Sequence, residues 1–429
     1  MTDTTKTAVY ASVAIVMALL TWATSPRVQI PAVFVDRGEL FFPEFSDPNT
    51  ASSLEVVEFD EQNGAVRPFK VVNRAGRWTI PSQHDYPADA KDRLAQTAAA
   101  VIALRKDDFV SDSSSDHQRC GVLDPVDLTL PTLQGRGTRL TIRAADKRLL
   151  ADIIIGKPPE GHQDFRFVRV PDQKRVYLSR VGDLKISIAF NDWIERDLLQ
   201  VNANSIDAIN TLNYTLDGAT GRLKPGEVLL LEKKDDEWTL PGLQPGERIN
   251  QSVANLLVTN LVGLRIVGVL PKPPGMTATL GQQSGVARIT AEDRAHLARK
   301  GFYLAGDGRL LSNEGVIVVR TTSGIFYTLR FGEVAPGTPE ATEAPTTPPP
   351  AADRPEERPI RRENRYLFIM IAFDPNRARP SGGSAAGADK GAALLRARFA
   401  PWYYIISADS FASLRVQRKD LVKRSQRKG

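Results

Sequence analysis

The stretch "RWTIP", Arg77–Pro81, returns as "EWTLP", Glu237–Pro241, at an offset of 160 residues. Each copy sets Trp, Thr, an aliphatic residue and Pro in one order, and a long Ala/Leu/Val-rich run follows each. The same offset joins Trp78 to Trp238, Pro81 to Pro241, Leu104 to Leu264 and Arg105 to Arg265. Between these landmarks lie "DAKDRLAQTAAAVIALR" and "RINQSVANLLVTNLVGLR". Leu94, Ala98, Val101 and Ile102 share one helical face of the first, and Val253, Leu257, Leu261 and Leu264 share one face of the second. Both runs therefore predict an amphipathic helix at the same place, with Pro87 suited to the first turn of the earlier one.

The flanks repeat as well. "SLEVVEFD" and "INTLNYTLD" alternate as strands do and lead into Gly-containing turns. "FKVVNRAGRWTIP" and "VLLLEKKDDEWTLP" each read as strand, tight turn, strand. Downstream, "TRLTIRAADKRLLADIIIG" resembles "GVIVVRTTSGIFYTLRFG", and "FRFVRVPDQKRVYLS" resembles "RYLFIMIAFD" with "WYYIIS". "WIERDLLQV" resembles "RVQRKDLVKR". The expected fold class is α+β: two tandem related units, each a mostly antiparallel sheet with one main helix, after a single N-terminal transmembrane helix. Residues 1–30 read as a cytoplasmic stub and membrane anchor, 31–51 as a linker, 52–202 as the first repeat and 203–429 as the second. The second repeat carries a Pro-rich insertion at 335–360, "APGTPEATEAPTTPPPAADRPEERP" and one further residue, and a flexible loop at 379–393.

The anchor is "AVYASVAIVMALLTWAT", Ala8–Thr24, an uncharged run preceded by Lys6 and followed by Pro26 and Arg27. As a helix it spans about 25 Å, near the lower limit for a bilayer. Trp22 sits where an interfacial aromatic belongs. The exit "LLTWATSPR" offers no A-x-A cleavage pattern, so an uncleaved anchor is favoured over a signal peptide or a buried core helix. The short leader puts the bulk of the chain outside the cytoplasm.

Composition excludes several classes. The chain has 429 residues, 42% hydrophobic and 25% charged, which is globular rather than disordered. The net charge is +6, and seven Lys/Arg against one Asp fall in "RVQRKDLVKRSQRKG", Arg415–Gly429. That tail reads as a solvated terminus, or as a contact for an anionic membrane or an acidic partner. No recognition helix or aromatic motif accompanies it, so nucleic acid is not an expected partner. Cys120 is the one cysteine, which excludes an intrachain disulfide and leaves a Cys-based metal site without partners.

No local chemistry stands out. His84, His117, His162 and His296 form no metal-ligand spacing and read mostly as exposed residues. "DIIIGKPPEG" lacks the Walker pattern, and its prolines remove backbone donors a phosphate loop needs. "GQQSG" has the wrong Ser spacing for a nucleophile elbow. "LQGRGTRL" lacks a third Gly. "EKKDDEW" and "GDG" (Gly306–Gly308) read as hairpin turns. Trp78 and Trp238 read as core anchors, with Trp193 and Trp402 as strand-end residues of the core, and a ligand platform made of these rings is the alternative reading. No catalytic, cofactor-binding or metal residue is nominated, and the chain reads as non-enzymatic.

The motifs "RWTIP", "CGVLDP" before "LTIRA", "DIIIGK" ahead of "VYLS", and "FNDWIERDLLQV" together resemble the bacterial domain-of-unknown-function 4340 family. "SNEGVIVVRTTSGIFYTLRFGEV" and "FAPWYYIISADSFASLRVQRKDLVK" are similar to its repeated-domain version. The resemblance covers nearly all residues after about 30. Family members often lie beside genes for gliding-motility-type ABC transporters, which implies a membrane-anchored extracytoplasmic accessory protein. The family offers no catalytic residues to carry over. The expected function is a scaffold or binding protein held at the cytoplasmic membrane through Ala8–Thr24, with envelope or ABC-transporter proteins as partners. Two alternatives stay open: a small-ligand sensor using the cleft between repeats, and an envelope hydrolase whose site assembles from distant residues.

Overall fold

The computed structural model describes residues 3–24, 36–182, 184, 186–195, 197–218, 220–280, 290–336, 363–378 and 385–424. In chain order the elements are α1 (Asp3–Thr24), β1 (Ala51–Asp60), β2 (Ala65–Arg74), β3 (Arg77–Ile80), β4 (Tyr86–Pro87), α2 (Lys91–Ile102), β5 (Asp108–Ser111), α3 (His117–Cys120), β6 (Thr138–Ala144), β7 (Leu149–Ile155), β8 (Phe165–Arg169) and β9 (Val176–Arg180). Then follow β10 (Ile206–Leu216), β11 (Leu223–Lys234), β12 (Glu237–Thr239), β13 (Glu247–Ile249), α4 (Gln251–Val262), β14 (Ile266–Pro271), α5 (Pro274–Leu280), α6 (Ala291–Ala298), β15 (Phe302–Leu304), β16 (Leu310–Ser312), β17 (Val316–Thr321), β18 (Ile325–Val334), β19 (Arg365–Phe373), α7 (Ala385–Phe399), β20 (Trp402–Ile406), α8 (Ala408–Leu414), α9 (Arg418–Leu421) and β21 (Val422–Arg424). This is a mixed α+β chain of mostly antiparallel sheets. It divides into two compact units, Met1–Pro68 with Ala95–Ile186, and Phe69–Leu94 with Ser187–Gly429. The sequence boundary at 202/203 lies within the second unit.

In the first unit the hydrogen-bonded order runs β2-β1-β6-β7-β8-β9-β5. Asp60 shapes the β1–β2 turn, its Oδ1 accepting from the Gln62 and Asn63 amides at 3.0 Å each. Strand β7, "LLADIII", is almost wholly buried, as a strand covered on both faces must be. Beside it, Cys120, Val122, Ile154 and Val176 form an apolar cluster. The backbone closes tightly there. A Cβ on Gly156 would collide with the Cys120 carbonyl and lie 2.8 Å from Val122 Cγ1. Arg169, 6% exposed, donates from Nε to the Val122 carbonyl at 3.0 Å and from Nη1 to that of Gln173 at 3.1 Å. The motifs "CGVLDP" and "DIIIGK" are thus two sides of one packed loop junction.

The second unit holds an eight-stranded sheet, β12-β11-β10-β17-β18-β19-β20-β14, and the end of the β2-β3-β4 meander. Asp235 and Asp236 sit at φ 47° and 63°, and Ala75 and Gly76 at 53° and 82°. Both are two-residue hairpin turns whose left-handed backbone matches strand twist. The Gln251 amide bridges both backbone groups of Trp238, accepting from its N–H at 3.0 Å and donating to its C=O at 2.8 Å. Trp238 is buried and donates from Nε1 to Asn255 at 3.1 Å, so β12 and α4 are locked together. Phe302, Phe368, Tyr403 and Ile405 belong to one apolar core cluster of this unit.

Several expectations need correction. Pro87 lies in β4, ahead of the helix, which starts at Lys91. Trp78 is only half-buried, unlike Trp238. Trp193 is fully buried but closes a 3₁₀ turn rather than a strand. Of the expected loop at 379–393, residues from Ala385 onward are helix α7, because "AAGADKGAALLRARF" is rich in strong helix formers and buries Ala392, Leu395 and Phe399. The basic tail is folded as far as Arg424. Leu421 is fully buried, β21 pairs with β13, and Arg418 reaches Glu247 at 3.0 Å. The Pro-rich insertion from residue 337 onward, 379–384 and 425–429 lie outside the described residues.

The N-terminal segment does form a helix, α1, of 22 residues. Among the described residues, however, no helix is long and apolar enough to cross a membrane. The expected span over Ala8–Thr24 is therefore not supported by the described structure. The buried-core reading fails outright, since every side chain from Ala11 to Thr21 is exposed.

Two outcomes test this packing. Gly156→Ala should cost about 2 kcal/mol or more by overpacking, read by urea unfolding, whereas Gly182→Ala, in open space, should be near neutral. His117 is buried, and Nε2 lies 2.8 Å from the Lys174 carbonyl, so the neutral Nε2–H tautomer donates. Burial, aided by Arg169, holds its pKa below the usual 6.5. The unfolded chain then takes up a proton that folded His117 refuses. Stability is full above pH 6.5 and falls as pH drops toward the folded pKa. His117→Gln should flatten that fall, with burial-depressed His296 keeping its own share.

Candidate functional site

A cleft of about 960 Å³, within the range typical of small-molecule sites, opens in the second unit. Two others are smaller: about 110 Å³ beside Ile194 and Leu264, and about 250 Å³ beside Phe41 and Leu149 in the first unit. One wall of the large cleft is the β2–β3 turn and the segment from Thr79 to Asp89. The other is the end of α7 and the start of β20, with Glu195 between them.

The first wall is shaped by strain. After Pro81 the chain makes a 3₁₀ turn, and His84 and Asp85 follow at φ 57° and 60°. Two consecutive non-glycine residues in the left-handed region are unfavourable, each by about 1–2 kcal/mol. The conformation is held by the Asp85 amide donating to the Ile80 carbonyl at 3.1 Å and by Arg74 Nη1 on Asp85 Oδ2 at 2.6 Å. It turns the exposed Asp85 into the cleft and sends the next side chain, Tyr86, inward.

Tyr86 is buried and meets Trp402 edge to face at 5.1 Å, Phe190 at 5.7 Å and Tyr404 at 6.5 Å. Burial raises the pKa of both Tyr86 and Tyr404, so both phenols stay neutral. Trp402 is half-buried, so part of its ring faces the cleft. Opposite, Arg398 Nη1 bonds Glu195 at 2.8 Å and Nη2 reaches the Asp197 carbonyl at 3.4 Å. Gln200 Nε2 steadies both Glu195 oxygens at 2.9 and 2.8 Å. Among the described residues, the side chains of Arg77 and Asp89 have no hydrogen-bond or ion-pair partner.

The cleft thus carries Arg74, Arg77 and Arg398 against Asp85, Asp89 and Glu195, a balanced set around an aromatic floor. It contains no Cys, and its hydroxyl-bearing side chains are Thr79 and Tyr86. Thr79 is buried, and its Oγ1 lies 3.5 Å from Asp85 Oδ1, too long for an activated nucleophile. Among the described residues no group of three His, Cys, Asp or Glu could hold a metal. The histidines are not brought together: His84 is exposed near the cleft, His117 is buried in the first unit, and His296 is half-buried 3.2 Å from the Tyr403 hydroxyl. Sequence reasoning assigned Trp402 to the core and gave Tyr86 no role. No local spacing links two residues so far apart, and only tertiary pairing could reveal them.

The family model described as a domain of unknown function (DUF4340) matches residues 78–284, the family that the motifs resemble, while the motifs after residue 311 lie outside the match. The match covers the wall from Thr79 to Asp89 and Glu195, and stops short of Arg398 and Trp402. No curated protein and no solved structure matches the chain.

His84→Gly tests whether the first wall is strained. It relieves one left-handed residue whose side chain is exposed, and should stabilise by up to about 1 kcal/mol in urea unfolding. A loss of stability would show that the His84 side chain contributes instead.

Proposed function

We propose that this protein, whose residues 78–284 belong to the DUF4340 family, is a membrane-anchored, extracytoplasmic, non-enzymatic accessory protein that binds its target through the large cleft. The observation that carries this reading is the cleft itself: about 960 Å³, lined by half-exposed Trp402, buried Tyr86 and a neutral sum of charged groups. Its carboxylates Asp85 and Glu195 are held by Arg74 and Arg398, an arrangement suited to recognition rather than to proton transfer. A sensor role for the cleft is contained in this reading. A hydrolase has no matching observation.

The anchor reading rests on the exposed apolar side chains of α1. A 22-residue helix measures about 33 Å. Its exposed side chains include Val13, Ile15, Val16, Met17, Leu19 and Leu20, apolar surface that water disfavours and lipid accepts. An envelope or ABC-type transport assembly as partner follows from the family resemblance.

We further read the chain as a duplication. The order β3-β2-β1-β6-β7-β8-β9-β5 has its counterpart in β12-β11-β10-β17-β18-β19-β20-β14. Helices α2 and α4 each have 12 residues, with Lys91 and Gln251 separated by the same 160 positions as Trp78 and Trp238. The left-handed turns at Ala75–Gly76 and Asp235–Asp236 keep that offset too. On this reading the cleft combines Tyr86 of one copy with Trp402 of the other.

Alkaline carbonate extraction of native membranes tests the anchor. The full chain should stay in the membrane pellet, and a chain lacking residues 1–35 should be released. Full-length protein in the carbonate supernatant would sink the anchor, and protection from protease in spheroplasts would sink the extracytoplasmic placement.

A further inference from the structure

We infer that the cleft binds an uncharged oligosaccharide. The inference rests on the cleft being a binding site, and names what it takes. A strongly anionic ligand would have to approach Asp85, Asp89 and Glu195, and a strongly cationic one would meet Arg74, Arg77 and Arg398. A wholly apolar ligand would strip water from these groups without replacing its hydrogen bonds. The occupant must therefore be neutral, rich in groups that both donate and accept, and apolar on one face. Pyranose rings have this chemistry. Their C–H faces lie on aromatic rings, here Trp402, and each equatorial hydroxyl donates to a carboxylate while accepting from a guanidinium.

An extended peptide is neutral and polar as well, but it is recognised by adding a strand to a sheet edge. The edge here is short of donors. Strand β4 has two residues, and one of them, Pro87, has no N–H. The amides that flank it are consumed: Asp85 donates to Ile80, Ala88 to Trp78, and Asp89 to Trp193. Pro401, on the opposite wall, lacks an N–H too. Recognition must come from side chains. The two ion pairs hold two guanidiniums and two carboxylates in fixed orientations, and the side chains of Arg77 and Asp89, unpaired among the described residues, can bond a ligand. Planar, pre-oriented donors and acceptors beside an aromatic ring are what a run of sugar hydroxyls requires.

The test uses the full chain in detergent micelles and isothermal titration with chitotetraose, cellotetraose and maltotetraose, alongside a proline-rich decapeptide and a sulfated oligosaccharide. At least one uncharged tetrasaccharide should bind. Trp402→Ala should weaken it at least tenfold, with Arg77→Ala, at an exposed residue, as the variant that keeps the fold. Leu394→Ala, an exposed position on α7 outside the cleft, should leave binding unchanged. Binding of no uncharged tetrasaccharide, or binding indifferent to both cleft variants, overturns the assignment. A peptide bound in its place and lost in Trp402→Ala overturns the assignment while the cleft reading stands. Silence from every probe removes both.

Discussion

A charged pair across neighbouring strands fixes the register of each sheet. In the first unit Asp152 interrupts the apolar strand β7, and the Arg139 fork from β6 receives it at 2.9 and 2.6 Å. Asp124 takes the remaining arm at 2.9 Å, and Thr141 adds a hydroxyl at 3.1 Å. In the second unit Asp207, 2% exposed, meets Arg320 at 2.8 Å between β10 and β17. A carboxylate this enclosed is tolerable only when paired. A slip of one residue would turn the charge to the wrong face and strand it, so these pairs select one alignment from many apolar ones.

From that alignment the cleft wall follows. β20 lies between β19 and β14, with Tyr403 and Tyr404 buried in the sheet. Lys272, at the end of β14, is almost wholly enclosed. Its Nζ donates to the Phe399 carbonyl at 3.1 Å and sits 3.9 Å from the Phe368 ring centre. Burial pushes its pKa far down. Its amide also donates to the Pro401 carbonyl at 2.7 Å. The junction of α7 and β20 is therefore held from beneath on both sides of Ala400, and Arg398 and Trp402 project from a rigid base. The opposite wall depends on backbone strain at His84 and Asp85. Strained backbone of this kind persists only where the surrounding structure over-determines it, as the Arg74–Asp85 pair and the Asp85 amide do here.

Much of the fold was legible in the chain. The helix faces at Leu94–Ile102 and Val253–Leu264 declare themselves by periodicity, and the turns at Asp235–Asp236 and Gly306–Gly308 by local backbone preference. These signals are short-range, so a linear reading captures them. The helix at Ala385–Phe399 was missed because Gly and Ser in "SGGSAAGADKGAA" mimic a loop, while burial of Leu395 and Phe399 supplies what propensity lacks. The folded tail was missed because its basic residues conceal one buried anchor, Leu421.

The sequence by itself determined the α+β class, the two amphipathic helices and the motifs that the DUF4340 model matches over residues 78–284, because each is written in nearest-neighbour pattern and spacing. The tertiary structure alone decided that Tyr86 and Trp402 share a cleft, that Trp402 is half-open rather than core, and that three arginines face three carboxylates there. Those facts depend on segments some 300 residues apart meeting in space, and no local propensity encodes a contact whose partner lies so far along the chain.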